Sequence, residues 1–301
     1  MTQSKIKASR EKSSHLMPSL GCSSAPQALT GVLLPENYRF LQQEIRRECG
    51  IILDDDKHYL FESRLAPILR GAKLSTLNEL CAQLRTRRYP SLSQLVMEAL
   101  TTNETYFFRD MAPFEALRTQ LLPALITKLA SDAKLRIWSA AASSGQEAYS
   151  IAILLRELDI HDRTANILGT DISEQILTYA QEAKYLQFEI NRGLPIKYLA
   201  KYFKKDGMDW RLNDEIRNMV QFRRFDLRQS ANRLGHFHII FCRNVLIYFD
   251  IKTKNRIIQQ LVNSLETGGY LILGAAESIQ NQQYNCIRIE KENTVIYCKQ
   301  W

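Results

Sequence analysis

No apolar run in this chain approaches the ~20 residues a bilayer-spanning helix needs, and the start of the sequence has no continuous apolar stretch followed by a cleavage site. Membrane insertion and secretion are therefore not expected. Six cysteines are scattered with no C-x-x-C pair, and five histidines show no metal-ligand spacing. That pattern argues against a disulfide scaffold or a zinc site, and no metal is expected. The net charge of +8 brings no RRM, KH or zinc-finger motif with it, so nucleic acid is not the expected partner. Internal repeats are absent as well.

What is present divides into parts. Met1 to Leu33 is Ser- and Lys-bearing with little periodicity and a net charge of +3, and reads as a disordered tail. Leu34 to Leu125 reads as a small helical domain with a linker helix. Helical spacing covers Tyr38 to Cys49, Lys57 to Leu69, Leu77 to Arg85 and Leu92 to Leu100, and the linker helix is expected over Met111 to Ala130. From Ile126 to Trp301 the pattern alternates strand and helix, as a doubly wound α/β domain does. Residues 185–219 are too long for an ordinary connection, and Tyr198, Tyr202, Phe203 and Trp210 within them predict an ordered insertion. Cys286 to Glu290 and Thr294 to Cys298 read as a hairpin that adds an antiparallel strand to a mostly parallel sheet.

Three strand ends carry the functional signal. His238 to Cys242 is apolar enough for a strand covered on both faces and runs straight into Arg243 and Asn244. In an open α/β sheet, ligands bind beyond the carboxyl ends of the strands. Leu135 to Ser139 suits another strand, followed by a small-residue turn and a helix from Gln146 to Leu158. The turn holds only Gly145, so it fits a G-x-G-x-x-G phosphate cradle poorly, which weighs against a dinucleotide. Asn166 to Asp171 (NILGTD) ends in a carboxylate 26 residues after Gly145, the spacing of an acid that binds ribose hydroxyls. The plain alternative makes Asp171 the N-cap of the next helix. A ribose acid without a phosphate loop points to S-adenosylmethionine. Cys242, inside its strand, reads as a small buried hydrophobe.

Taken together, TTNETYFFRD (Thr101 to Asp110), WSAAASSGQEAYS (Trp138 to Ser150), GTDIS (Gly169 to Ser173), FCRNVLIYF (Phe241 to Phe249) and GGYLILGAAES (Gly268 to Ser278) strongly resemble the CheR-type chemotaxis methyltransferases. The likeness runs from about Leu34 to Val295. It implies a small all-α domain before a Rossmann-like S-adenosylmethionine methyltransferase domain with a mostly parallel sheet, a C-terminal antiparallel strand and a small inserted antiparallel subdomain. It also implies methyl transfer from S-adenosylmethionine to glutamate side chains on the cytoplasmic methylation helices of bacterial chemoreceptors, with S-adenosylhomocysteine as product. By the same resemblance the chain is cytoplasmic, recruited to membrane-bound receptors, and a monomer.

Carried over residue by residue, Asn103, Thr105 and Arg109 line the methionine end and methyl-transfer region. Glu147 faces the methionyl amino group, Asp171 the ribose, and Asp226 and Leu227 the adenine, while Arg243 and Asn244 complete the pocket. Tyr248 lies near the transferred methyl, so Arg109 and Tyr248 are the catalytic candidates. Gln146 and Ala148 stand where the family commonly has Glu and Pro, Asp226 where it has Asn, and Ala275 and Ala276 where it has a His-Ser pair. Arg64, Arg70, Lys73, Arg85, Arg87 and Arg88 form a basic cluster suited to acidic receptor helices, with Arg85, Arg87 and Arg88 as substrate-binding candidates. Two other readings stay open: a non-catalytic S-adenosylmethionine-binding sensor or scaffold, and a methyltransferase for another substrate. Against the latter, the DPPY-type signature of amino-methylating enzymes is missing.

Overall fold

The computed structural model describes residues 32–130, 133–161, 164–279 and 284–300. The expected tail lies outside them, save Val32 and Leu33. Four helices follow: α1 (Pro35–Cys49), α2 (His58–Ala72), α3 (Leu77–Thr86) and α4 (Pro90–Leu100). Proline at the first turn of α1 and α4 loses no hydrogen bond there, and Thr76 caps α3 by accepting from Glu79 N. Each helix buries one stripe, such as Tyr38, Leu41 and Ile45 on α1 and Phe61, Leu65 and Leu69 on α2. These stripes meet in a separate core running from Leu33 to Leu100.

The linker helix begins at Ala112 and ends at Ile126, and its middle turn, Leu117–Leu121, is widened to π geometry. Pro123 has no N–H to continue an α-helical ladder, and Leu122 N reaches back to Leu117 O instead. This helix packs on the sheet domain: Phe114, Leu117, Leu121 and Leu122 share a core with Ile151 and Leu155.

The sheet domain contains β1 (Leu135–Ala140), β2 (Ala165–Asp171), β3 (Lys184–Tyr185), β4 (Phe203–Asp206), β5 (Asp209–Leu212), β6 (Val220–Arg224), β7 (Phe237–Cys242), β8 (Leu265–Leu273), β9 (Cys286–Lys291) and β10 (Thr294–Lys299). The main sheet has seven strands in the order β6-β2-β1-β7-β8-β10-β9. From β6 to β8 all pairings are parallel, whereas β10 runs antiparallel to both β8 and β9. The hairpin turns through Glu292 and Asn293, both at positive φ, as tight two-residue turns require. From β1 the chain winds outward to β2 and β6, then returns to β7 on the other side. The crevice beyond β1 and β7 is thus the switch point where such sheets bind ligands.

The insertion is ordered as expected. Strands β3, β5 and β4 form a second, antiparallel sheet of three strands, and Tyr185, Tyr198, Tyr202 and Phe203 are buried in the main core. Phe107 meets the rings of Tyr185 at 5.0 Å and Phe203 at 5.6 Å edge-on, and Phe108 stacks on Tyr198 at 5.3 Å. The insertion therefore braces the segment that carries Arg109.

Candidate active site

Asp171 closes β2 with both oxygens engaged by backbone: Oδ2 accepts from Ser143 N at 2.9 Å and Oδ1 from Ser173 N at 3.1 Å. Ser173 is the N-cap of the next helix, accepting from Ile176 N, so Asp171 does not take that role. A carboxylate has about four lone-pair sites, and two accepted bonds leave capacity toward the cleft. The turn that delivers Ser143 is sharp, with Ala141 at φ 60°, Ser143 at φ 51° and Gly145 at φ 93°. A Cβ on Gly145 would crowd Ala180, Phe222 and Tyr149 at 3.1 Å each, so conformation and space both favour glycine there.

Glu147, in the first turn of the following helix, accepts from Ser139 Oγ at 2.8 Å through Oε1 and pairs with Arg243 Nη1 at 3.2 Å through Oε2. Burial pushes its carboxyl above the ordinary range, against the pull of Arg243 and Ser139. Burial likewise raises Asp171, opposed by its backbone donors. Arg243 also holds Asp110 Oδ2 at 2.8 Å and Arg109 O at 2.9 Å through Nη2. Its buried Nε has no partner among the described residues.

The segment Thr101 to Asp110 crosses over this floor. Ser143 Oγ donates to Asn103 O at 2.8 Å, Phe108 N donates to Ser150 Oγ at 2.9 Å, and Arg109 Nη1 donates to Glu104 O at 2.9 Å. Phe108 and Asp110 both sit at positive φ, a cost that non-glycine residues pay most often at functional sites. Beyond β7, Asn244 is left-handed at φ 57° and Tyr248 ends a short 3-10 turn, Leu246–Tyr248.

All ten cofactor and catalytic candidates, Asn103, Thr105, Arg109, Glu147, Asp171, Asp226, Leu227, Arg243, Asn244 and Tyr248, line this one cleft. Asp226 has its carboxylate paired with Arg228 Nη2 at 2.6 Å. Arg85, Arg87 and Arg88 lie elsewhere, exposed on the helical domain, and Arg87 lines a neighbouring groove with Arg47 and Arg224. The basic cluster is not uniformly free. Arg64 turns inward to Leu100 O, Thr101 O and Thr102 Oγ1, and Arg85 donates to Asn37 Oδ1 at 2.5 Å and lies over the Phe40 ring.

Residue-level reading missed several parts. Cys49 and Ile51 of the helical domain line the cleft; the Cys49 thiol is pushed up to about 11 by burial, so it serves as packing and not as a nucleophile. Glu277 is 5% exposed and accepts backbone bonds from Gly274, Asn244, Val245 and Leu246 at 2.7–2.9 Å. It thereby fixes the loop on which Asn244 and Tyr248 stand. Among the described residues no cluster of three or more His, Cys, Asp or Glu could hold a metal ion.

The sequence matches two family models: "CheR methyltransferase, all-alpha domain" over residues 36–101 and "CheR methyltransferase, SAM binding domain" over residues 103–295. The chain belongs to the CheR methyltransferase family. Chemotaxis protein methyltransferase 1 of Pseudomonas aeruginosa is 38% identical over 259 residues, covering 84% of this chain and 94% of that one. Chemotaxis protein methyltransferase Cher2 of Pseudomonas putida is 37% identical over 274 residues, covering 89% and 98%. Chemotaxis protein methyltransferase 1 of Vibrio cholerae is 40% identical over 250 residues, covering 81% and 90%. As a CheR methyltransferase, the chain uses S-adenosylmethionine as cofactor. The cleft fits that molecule: a buried carboxylate with spare acceptor capacity suits ribose hydroxyls, and a buried Glu147 beside Arg243 suits a group carrying both an amine and a carboxylate.

Proposed function

We propose that this CheR methyltransferase esterifies glutamate side chains on the cytoplasmic methylation helices of chemoreceptors, as part of chemotaxis. The observation that carries the reading is the convergence of the ribose acid, the Glu147–Arg243 pair, Arg109 and Tyr248 on one cleft. When bound, S-adenosylmethionine supplies an electrophilic sulfonium methyl. A glutamate carboxylate is ionised at neutral pH, so it would need no general base to take up that methyl. In such a transfer a C–O bond would form as the C–S bond breaks, with the bonding pair left on sulfur and no proton for the chain's residues to move.

Placement is then the protein's work. Asp171 holds the ribose, with Asp226 and Leu227 at the base. Glu147 and Arg243 hold the amino-acid end. Arg109 and Tyr248 orient the incoming carboxylate at the mouth. Alignment of this kind is worth on the order of 7 to 11 kcal/mol in favourable cases. Arg85, Arg87 and Arg88 steer the acidic receptor helices, an effect that salt weakens.

The experiment is transfer of radiolabelled methyl into a membrane fraction containing receptors. Label that alkali releases as methanol is expected from an ester. Alkali-stable label would overturn the assignment to glutamate.

A further inference from the structure

The last carbonyls of α1 face the sheet domain, and one side chain collects them. Arg228 donates from Nη1 to Arg47 O at 2.9 Å and from Nη2 to Glu48 O. A helix C-terminus presents carbonyls without intrahelical partners and a partial negative charge, both satisfied by a guanidinium. The same guanidinium grips Asp226, with Nε 3.0 Å from each carboxylate oxygen and Nη2 2.6 Å from Oδ2, while Arg228 N donates to Oδ1 at 2.9 Å. Both side chains are mostly buried, 20% and 15% exposed.

The turn after α1 is shaped for this contact. Gly50 has φ 77°, and a Cβ there would lie 2.7 Å from Arg228 Cδ and 3.0 Å from the Phe249 ring. Two residues on, Ile52 N donates to Tyr248 O at 2.9 Å. One short stretch of the helical domain therefore touches both walls of the cleft: the Asp226 wall through Arg228, and the Tyr248 wall directly.

We propose that Arg228 is a positioning residue that couples docking of the helical domain to the Asp226 wall, so that cofactor binding and clamping of α1 onto the sheet domain are one linked equilibrium. The proposal rests on the cleft being the S-adenosylmethionine site. A carboxylate only accepts hydrogen bonds. Arg228 supplies three N–H donors to Asp226, with Nε–H shared between both oxygens, so the acceptor capacity left for the exocyclic amine of an adenine is set by how Arg228 itself is held. Whatever free energy the ligand gains by tightening Asp226, α1 gains in docking, because coupling between sites is reciprocal. An Asn in place of Asp226 would accept from the adenine through its amide oxygen but would not hold Arg228 by charge.

The test is hydrogen exchange of the full chain with and without S-adenosylhomocysteine, alongside calorimetric affinity, for wild type, Arg228→Gln and Asp226→Asn. In wild type the ligand is expected to slow exchange at Gly50 and Ile52 as well as at Ser143 and Ser173. In Arg228→Gln the protection at Ser143 and Ser173 should persist while that at Gly50 and Ile52 disappears, with affinity down about tenfold. Asp226→Asn should lose the same distal protection with a smaller loss of affinity. Ligand that binds wild type and protects Ser143 and Ser173 without touching Gly50 and Ile52 would overturn the coupling and leave the site assignment standing. Ligand that protects none of them would overturn both.

Discussion

Arg243 Nη1 lies 3.2 Å from Glu147 Oε2, with the guanidinium side chain only 2% exposed. The two residues come from opposite sides of the switch point, one just past the turn after β1 and one at the end of β7. Their pairing ties the halves of the sheet together at the floor of the cleft. Removing one member of a buried pair leaves the other charge stranded, which costs more than the pair is worth.

Glu147→Ala is therefore expected to lower stability by about 3 kcal/mol, the lower end for a broken buried pair because Asp110 still holds Arg243. Ligand-free urea unfolding would measure it. An unchanged midpoint would show that Arg243 is adequately held without Glu147.

Glu277→Ala removes one acceptor from four backbone N–H groups at once. A loss of about 2 to 4 kcal/mol is expected if water replaces part of the network. Turnover should fall as well, because the loop bearing Asn244 and Tyr248 loses its anchor. Full turnover in a folded Glu277→Ala protein would mean the loop holds its shape unaided.

Much of this was readable in the chain. Strand-end residues such as Asp171 and Arg243 announce themselves, because an apolar strand that stops abruptly at a charge needs a reason. The order of loop, acid and Arg-Asn end then placed the cleft. Glu277 stayed silent because its partners are backbone N–H groups, which leave no side-chain pattern. Cys49 and Ile51 reach the cleft only through docking of one domain on another, which no local periodicity encodes. Arg64 counted toward a basic surface in sequence, yet it turns inward to the carbonyls of Leu100 and Thr101. The widened turn before Pro123 had a signal in the proline itself.

Arg109 and Tyr248 separate placement from base catalysis. Tyr248→Phe should reduce single-turnover rate with little change in cofactor affinity, since it removes one orienting hydroxyl. Arg109→Ala should cost more, about 2.7 to 4 kcal/mol of transition-state stabilisation. Full activity in Arg109→Ala would move the methyl-transfer position elsewhere in the cleft.

Affinity for S-adenosylhomocysteine should weaken as pH is lowered. Burial raises the carboxyls of Asp171 and Glu147, and in the proposed site both meet the ligand in the ionised form. Affinity is therefore complete above the raised values and lost as pH falls through them, beginning above the usual carboxylate range of about 4. Asp171→Ala should bind more weakly by about 1.5 to 3 kcal/mol, with a shallower pH dependence. Calorimetry from neutral pH down to about pH 5 decides it; wild-type affinity that stays flat would show that neither carboxyl titrates against the ligand.

The most direct measurement is peptide mass spectrometry of a chemoreceptor cytoplasmic fragment incubated with the wild-type chain and S-adenosylmethionine. A mass gain of one methylene, mapped to glutamate side chains, is predicted, with about 10- to 150-fold less of it in the Asp171→Ala reaction at limiting cofactor. Methyl groups on nitrogen, or on no receptor residue while the cofactor is still bound, would contradict it.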